Sequence, residues 1–220
     1  MAAARQPSCE TPPRPGGVED GSEKLIAVTD TKTELRWYLQ SARDALLWKL
    51  DGLSEYDIRR PLTPTGTNLL GLVKHASYVE SGYLADSFGR PSGLALPWLD
   101  GAEPSNDLWV TPDQSRSNII DGYRQAWSLA DSTLDELPLD TVGAVPWWPA
   151  HDNALTLHHA LVRVVSDIQR HAGHADIVRE MIDGTIGMNN DNASVPTNDP
   201  AWWRAHHQRV EEAARSTVEV

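Results

Sequence analysis

Apolar residues recur at helical spacing in four stretches of the chain. Leu35, Leu39, Ala42, Leu46, Leu50 and Leu53 form the first set. Positions i, i+3, i+4 and i+7 share one helix face, so this set predicts an amphipathic helix. Thr31-Lys32-Thr33-Glu34 has the form of a capping box at its start, and Gly52 marks its end. A second helix is predicted over 67–88, with Leu69, Leu72, Ala76, Val79 and Tyr83 on its buried stripe and Gly89 and Pro91 stopping it. A third opens at Thr111-Pro112-Asp113-Gln114 and buries Ile119, Ile120, Tyr123, Trp127, Ala130, Leu134 and Leu137. A fourth covers 154–183 and is apolar on a wide front, from Leu157 through Val164 and Ile168 to Ile182, before Gly184. A short C-terminal helix is predicted over 200–214. No stretch has the pattern of a strand. Four long helices with connections of a dozen or more residues predict an all-α fold, a four-helix bundle.

The segments between the helices are rich in proline and glycine. The one over 89–110 carries Pro91, Gly93, Pro97, Gly101 and Pro104, and loops of that length inside a domain are often functional. The connection over 138–153 holds Trp147 and Trp148, which either wall a pocket or serve as packing anchors. Residues 1–28 are poor in apolar side chains and read as a disordered tail, leaving 29–220 as one domain.

Composition narrows the function classes. Hydrophobic residues make up 40% of the chain and charged ones 23%, as in ordinary globular proteins. No apolar run approaches the roughly 20 residues of a membrane span, and no secretory h-region opens the chain. The single cysteine, Cys9, lies in the tail, so no internal disulfide can form. A cytoplasmic location is therefore expected. A net charge of −12 argues against a nucleic-acid surface, which needs a basic stripe.

The candidate chemistry lies on the fourth predicted helix. Asp167, His171 and His174 stand at i, i+4 and i+7, so one face presents a carboxylate and two imidazoles. Seven residues of helix rise about 10 Å, too far for all three to reach one ion. A pair from this face needs a further ligand, and His75, beside the buried stripe of the second helix, is the candidate. The spacing leaves two triads open: His75, Asp167 and His171, or His75, His171 and His174. Three protein ligands leave coordination positions free, the pattern of catalytic rather than structural zinc, and the donor set also suits iron. The plainer reading is that His75 is a boundary histidine and Asp167 with His171 an i, i+4 surface pair. Arg170 and Arg179 flank the motif and either meet a substrate carboxylate or form salt bridges. No nucleophile elbow, CxxC pair or phosphate loop is present.

The segments Thr67-Asn68-Leu69-Leu70-Gly71-Leu72-Val73-Lys74-His75 and Arg170 through Gly184 resemble the DinB-like metal-binding bundle superfamily. The resemblance covers 30–184 and lies closest to an actinobacterial branch related to mycothiol-dependent maleylpyruvate isomerase and thiol S-transferases. It implies a divalent ion held by one histidine of the second helix and two residues one turn apart on a later one. By position these are His75, Asp167 and His171. Aspartate stands where relatives carry glutamate or histidine, and His174 is the alternative ligand. The resemblance further implies zinc, with iron or nickel as alternatives, and a low-molecular-weight thiol, mycothiol, as cosubstrate for S-transfer to, or isomerisation of, a small electrophile. Family members often pair as homodimers. The competing functions are a metal-dependent hydrolase and a non-catalytic metal-binding scaffold.

Overall fold

The computed structural model describes residues 30–99, 103–189 and 195–217. The expected tail over 1–28, with Cys9, lies outside them. The described chain is all-α apart from one two-stranded ribbon. The elements are α1 (Thr31–Trp48), α2 (Glu55–Arg59), α3 (Leu69–Leu84), α4 (Arg116–Glu136), β1 (Val142–Ala144), β2 (Ala154–Thr156), α5 (Leu157–Asp183) and α6 (Pro200–Arg215). A 3-10 turn, Asp86–Phe88, follows α3. The long helices α1, α3, α4 and α5 form the bundle; α3 packs against both α4 and α5, and α1 packs against α5.

The helical stripes are buried as expected: Leu39, Ala42 and Leu46 from α1, Tyr123, Ala130 and Leu134 from α4, and Leu161, Val164 and Ile168 from α5. The most central helix is α3. It is buried nearly all round, down to Gly71, Lys74, Glu80 and Gly82, as a helix with neighbours on several sides must be.

Helix ends depart from the expected positions, and each departure has a local cause. Asp30, not Thr31, caps α1, because its carboxylate accepts from the amides of both Lys32 and Thr33. That helix stops at Trp48, and Gly52 closes the following turns at φ +74°. Asn68 caps α3 by accepting from the Gly71 amide at 2.8 Å. Thr111–Gln114 is a closed turn, with the Gln114 amide donating to the Thr111 carbonyl, so α4 begins later under a Ser115 cap. The connection after α1 contains the short α2, capped by Ser54.

The expectation of no strand is corrected. Residues 154–156, placed by periodicity in the fourth helix, pair antiparallel with 142–144. Thr156 then caps α5 by accepting from the His159 amide. The ribbon is too short to show alternation, and what seats it is tertiary: at Gly143 an added Cβ would lie 2.3 Å from the Ser87 carbonyl oxygen. The C-terminal helix α6 buries none of its residues.

Candidate metal centre

Helices α3 and α5 bring together His75, Asp167 and His171. Their potential ligand atoms all lie within 4.8 Å of one another. The Asp167 Oδ1 atom stands 3.4 Å from His75 Nε2 and 3.5 Å from His171 Nε2. A tetrahedral ion with bonds of about 2.1 Å holds its ligands about 3.4 Å apart, so these spacings fit a divalent ion between the three side chains. The same oxygen is buried and has no hydrogen-bond donor among the described residues. A buried, unsatisfied carboxylate oxygen costs stability unless a cation meets it.

His174 is not part of this cluster. It is exposed, and its Nδ1 lies 3.3 Å from Nδ1 of His171, the nitrogen turned away from Asp167. It therefore contacts His171 from behind.

The protonation states divide sharply. Burial pushes the His171 imidazole down, and the nearby His75 charge adds to this, to about 4. His171 is thus neutral at pH 7 and offers a lone pair. Burial also disfavours charge on His75, but Asp107 and Asp167 outweigh it and raise His75 to about 9. The protonated His75 ring is the cation nearest Asp167, with Nε2 3.4 Å from Oδ1 but outside hydrogen-bond geometry.

Asp107 is the site residue that periodicity could not find. Its Oδ2 meets His75 Nδ1 at 2.5 Å, and the residue is 5% exposed although it lies in a loop. This contact fixes the imidazole with Nε2 facing Asp167. A carboxylate behind a ligating histidine orients the ring and strengthens it as a donor. The loop is strapped to α3 by three residues of the Thr67–His75 segment. Asn68 Nδ2 donates to the Leu108 carbonyl at 3.1 Å. Lys74 Nζ donates to the carbonyls of Asn106 and Trp109 at 2.7 and 3.0 Å. Gly71 lets the Leu108 carbonyl approach so closely that an added Cβ would stand 2.0 Å from its oxygen. Gly71→Ala is accordingly expected to cost about 1–3 kcal/mol and to weaken metal binding by moving Asp107. Thermal melts and a metal titration of the variant check this, and unchanged values for both would show that the strap yields freely.

A cavity of about 320 Å³ opens from His75 and Asp167. Its walls include Tyr83, Trp98, Trp147 and Trp148, with Arg163 at the rim. Trp98 comes from the long loop before α4, and Trp147 and Trp148 come from the connection that the ribbon closes. Of the two arginines considered from sequence, Arg179 is structural: it holds Asp183 at 2.7 Å and donates to the carbonyls of Lys49 and Asp51. Arg170 is exposed and is not among the residues lining the cavity.

The family model described as Mycothiol-S-transferase matches residues 34–184. The chain belongs to the mycothiol S-transferase family. Both helices that carry the His75–Asp167–His171 cluster and the strapped loop lie inside the matched region. A crystal structure of a conserved protein from Enterococcus faecalis has a TM-score of 0.55 at 17% identity, over 71% of this chain and 99% of that one. That likeness shows the bundle fold. No curated protein matches the chain. Membership of this family agrees with the DinB-like, mycothiol-related resemblance carried by the two motifs. Among the described residues no helix is long and apolar enough to cross a membrane.

Proposed function

We propose that this member of the mycothiol S-transferase family is a divalent-metal-dependent enzyme that transfers the sulfur of mycothiol to a small electrophile. The observation that carries the reading is the Asp167 oxygen, buried without a donor and set between two imidazole nitrogens at ligand spacing. His75, Asp167 and His171 would hold the ion, with zinc the first assignment and iron or nickel the alternatives. When bound, it supplies positive charge that lowers the pKa of a thiol, so that thiolate is present at neutral pH.

The chain's own residues do the rest. Asp107 keeps His75 in the tautomer that presents Nε2, and His171, neutral at pH 7, presents an Nε2 lone pair in the tautomer that carries its proton on Nδ1. The aromatic walls of the cavity exclude water and hold the electrophile beside the sulfur. In the transfer, a carbon–sulfur bond forms, the bond from that carbon to its leaving group breaks, and the thiol proton passes to solvent. Pairing as a homodimer and a cytoplasmic location belong to the same proposal, to be checked by light scattering and fractionation.

The direct test is metal analysis of the purified protein, followed by thiol consumption with a generic electrophile. The expected result is consumption that a chelator stops and zinc restores. Chelator-insensitive consumption, or metal-dependent hydrolysis of the electrophile without thiol loss, would overturn the proposal.

Metal uptake is also expected to be coupled to protons. At pH 7 His75 is protonated and His171 is not, so binding an ion expels about one proton from His75. Apparent affinity should climb about tenfold per pH unit from near pH 5 and level off around pH 9. Calorimetry in buffers of different ionisation enthalpy measures this proton directly. A flat affinity over that range would show that His75 Nε2 is not a ligand.

A further inference from the structure

The cavity beside the metal site has a composition that selects its guest. Tyr83, Trp98, Trp147 and Trp148 form a continuous aromatic surface: Trp98 and Trp147 lie 4.9 Å apart between ring centroids, and Tyr83 lies 5.0 Å from Trp147. The position of this surface is set by the backbone of α3. At Gly82 an added Cβ would meet Trp147 at 2.7 Å and Trp98 at 3.1 Å, so both rings rest on bare backbone there. Any larger residue would push them into the cavity.

Among the described residues, Arg163 is the one cation other than His75 lining this cavity. Its guanidinium lies 4.9 Å from the Tyr83 ring centroid and 5.5 Å from that of Trp148. Among the described residues no carboxylate lies within 4.0 Å of it to form an ion pair, although its charge reaches Asp167 across the cavity and helps hold that carboxyl below its ordinary range. The other arginines of α5 differ. Arg179 is spent on Asp183 and backbone carbonyls, and Arg170 stands outside the cavity. An arginine held over aromatic faces at a pocket mouth keeps its planar fork free for an oxyanion.

The geometry points to an electrophile that is a flat aromatic acid: its ring lies against the aromatic wall of the cavity, its carboxylate pairs with Arg163, and its reactive carbon faces the His75–Asp167–His171 cluster. This assignment rests on the S-transfer reading for its reaction but not for its binding. The cavity volume suits a small ring compound. With an arylmethyl halide the step is balanced: the thiol sulfur bonds to the benzylic carbon, halide leaves with the carbon–halogen electron pair, and the thiol proton goes to solvent.

Two experiments separate binding from reaction. In the first, metal-free protein is titrated with 4-methylbenzoate and with neutral 4-methylbenzamide, followed by tryptophan fluorescence. The acid is expected to bind about tenfold tighter, the worth of one charge-assisted pair. Arg163→Gln, at an exposed position that leaves the fold intact by circular dichroism, should erase the difference and weaken the acid far more than the amide. Gly82→Ala should weaken both ligands. Equal binding of acid and amide, or a preference that survives Arg163→Gln, overturns the inference. In the second, zinc-loaded protein and thiol are given 4-(chloromethyl)benzoate or 4-(chloromethyl)benzamide. The acid should be preferred in kcat/KM, and Arg163→Gln should remove that preference. Absence of turnover with both, alongside an intact binding preference, would sink the S-transfer reading and leave the acid site standing. Turnover without preference would do the reverse.

Discussion

Asp167→Ala and His171→Ala are each expected to lower metal affinity by about a hundredfold or more while the protein stays folded. Structural zinc sites bind with about 10–16 kcal/mol over four ligands, so one ligand carries about 3 kcal/mol. Folding should survive, because Asp167 Oδ1 makes no hydrogen bond that the fold depends on and His171 is only half-buried. His174→Ala is expected to cost about tenfold, the range for a residue behind a ligand, since its contact is with the far nitrogen of His171. Metal competition titrations with a chromophoric chelator would measure all three. If His174→Ala lost the metal and Asp167→Ala kept it, the ligand set would have to be His75, His171 and His174.

The second large effect concerns stability. Arg43 and Glu80 form an ion pair wholly inside the bundle, with Arg43 Nη2 donating to Glu80 Oε2 at 2.6 Å and Nε donating to the same oxygen at 2.9 Å. Both residues are almost fully buried, and the Arg43 guanidinium also lies over the Trp127 ring at 5.3 Å. Glu80→Gln would leave a buried cation with only the half-exposed Asp131 as a carboxylate partner. A loss of about 3–5 kcal/mol is expected, lowering Tm by about 10 °C or more in a chain of this size. Burial pushes the Glu80 carboxyl above its ordinary range although Arg43 opposes this. A group raised in this way favours the fold when protonated and loses that contribution as pH rises through its folded pKa. Arg43→Met with Glu80→Leu should accordingly recover most of the loss. Thermal and denaturant melts of the single and double variants provide the comparison. A double variant no better than Glu80→Gln would mean that the pair itself stabilises the bundle.

Some of the cluster was legible in the order of residues. Asp167 and His171 are one helical turn apart, a relation that any helix imposes, so their shared face followed from sequence. The spacing could not decide between Asp167 and His174, because both flank His171 at helical distances. Side-chain direction decides which of them joins the cluster. Asp167 points toward α3 and meets His75, while His174 lies on the solvent side. Arg163, one turn before Asp167, was visible as a residue but not as a pocket residue, because its aromatic partners come from other elements.

Local sequence determined the four long helices, their buried stripes and the C-terminal helix, because each depends on a period of 3.6 residues and on capping groups close by. The start of α1 was decided by Asp30, whose carboxylate takes the Lys32 and Thr33 amides, and that of α4 moved because Thr111–Gln114 closes as a turn before Ser115 caps the Asn118 amide. Tertiary structure alone decided the β1–β2 ribbon, the seat of Asp107 and the aromatic wall of the cavity. Each of these joins residues tens of positions apart, through contacts such as Gly71 with Leu108, Gly143 with Ser87 and Gly82 with Trp147. No local period encodes such contacts. They exist only once the bundle has brought bare backbone on one element against a carbonyl or a ring on another.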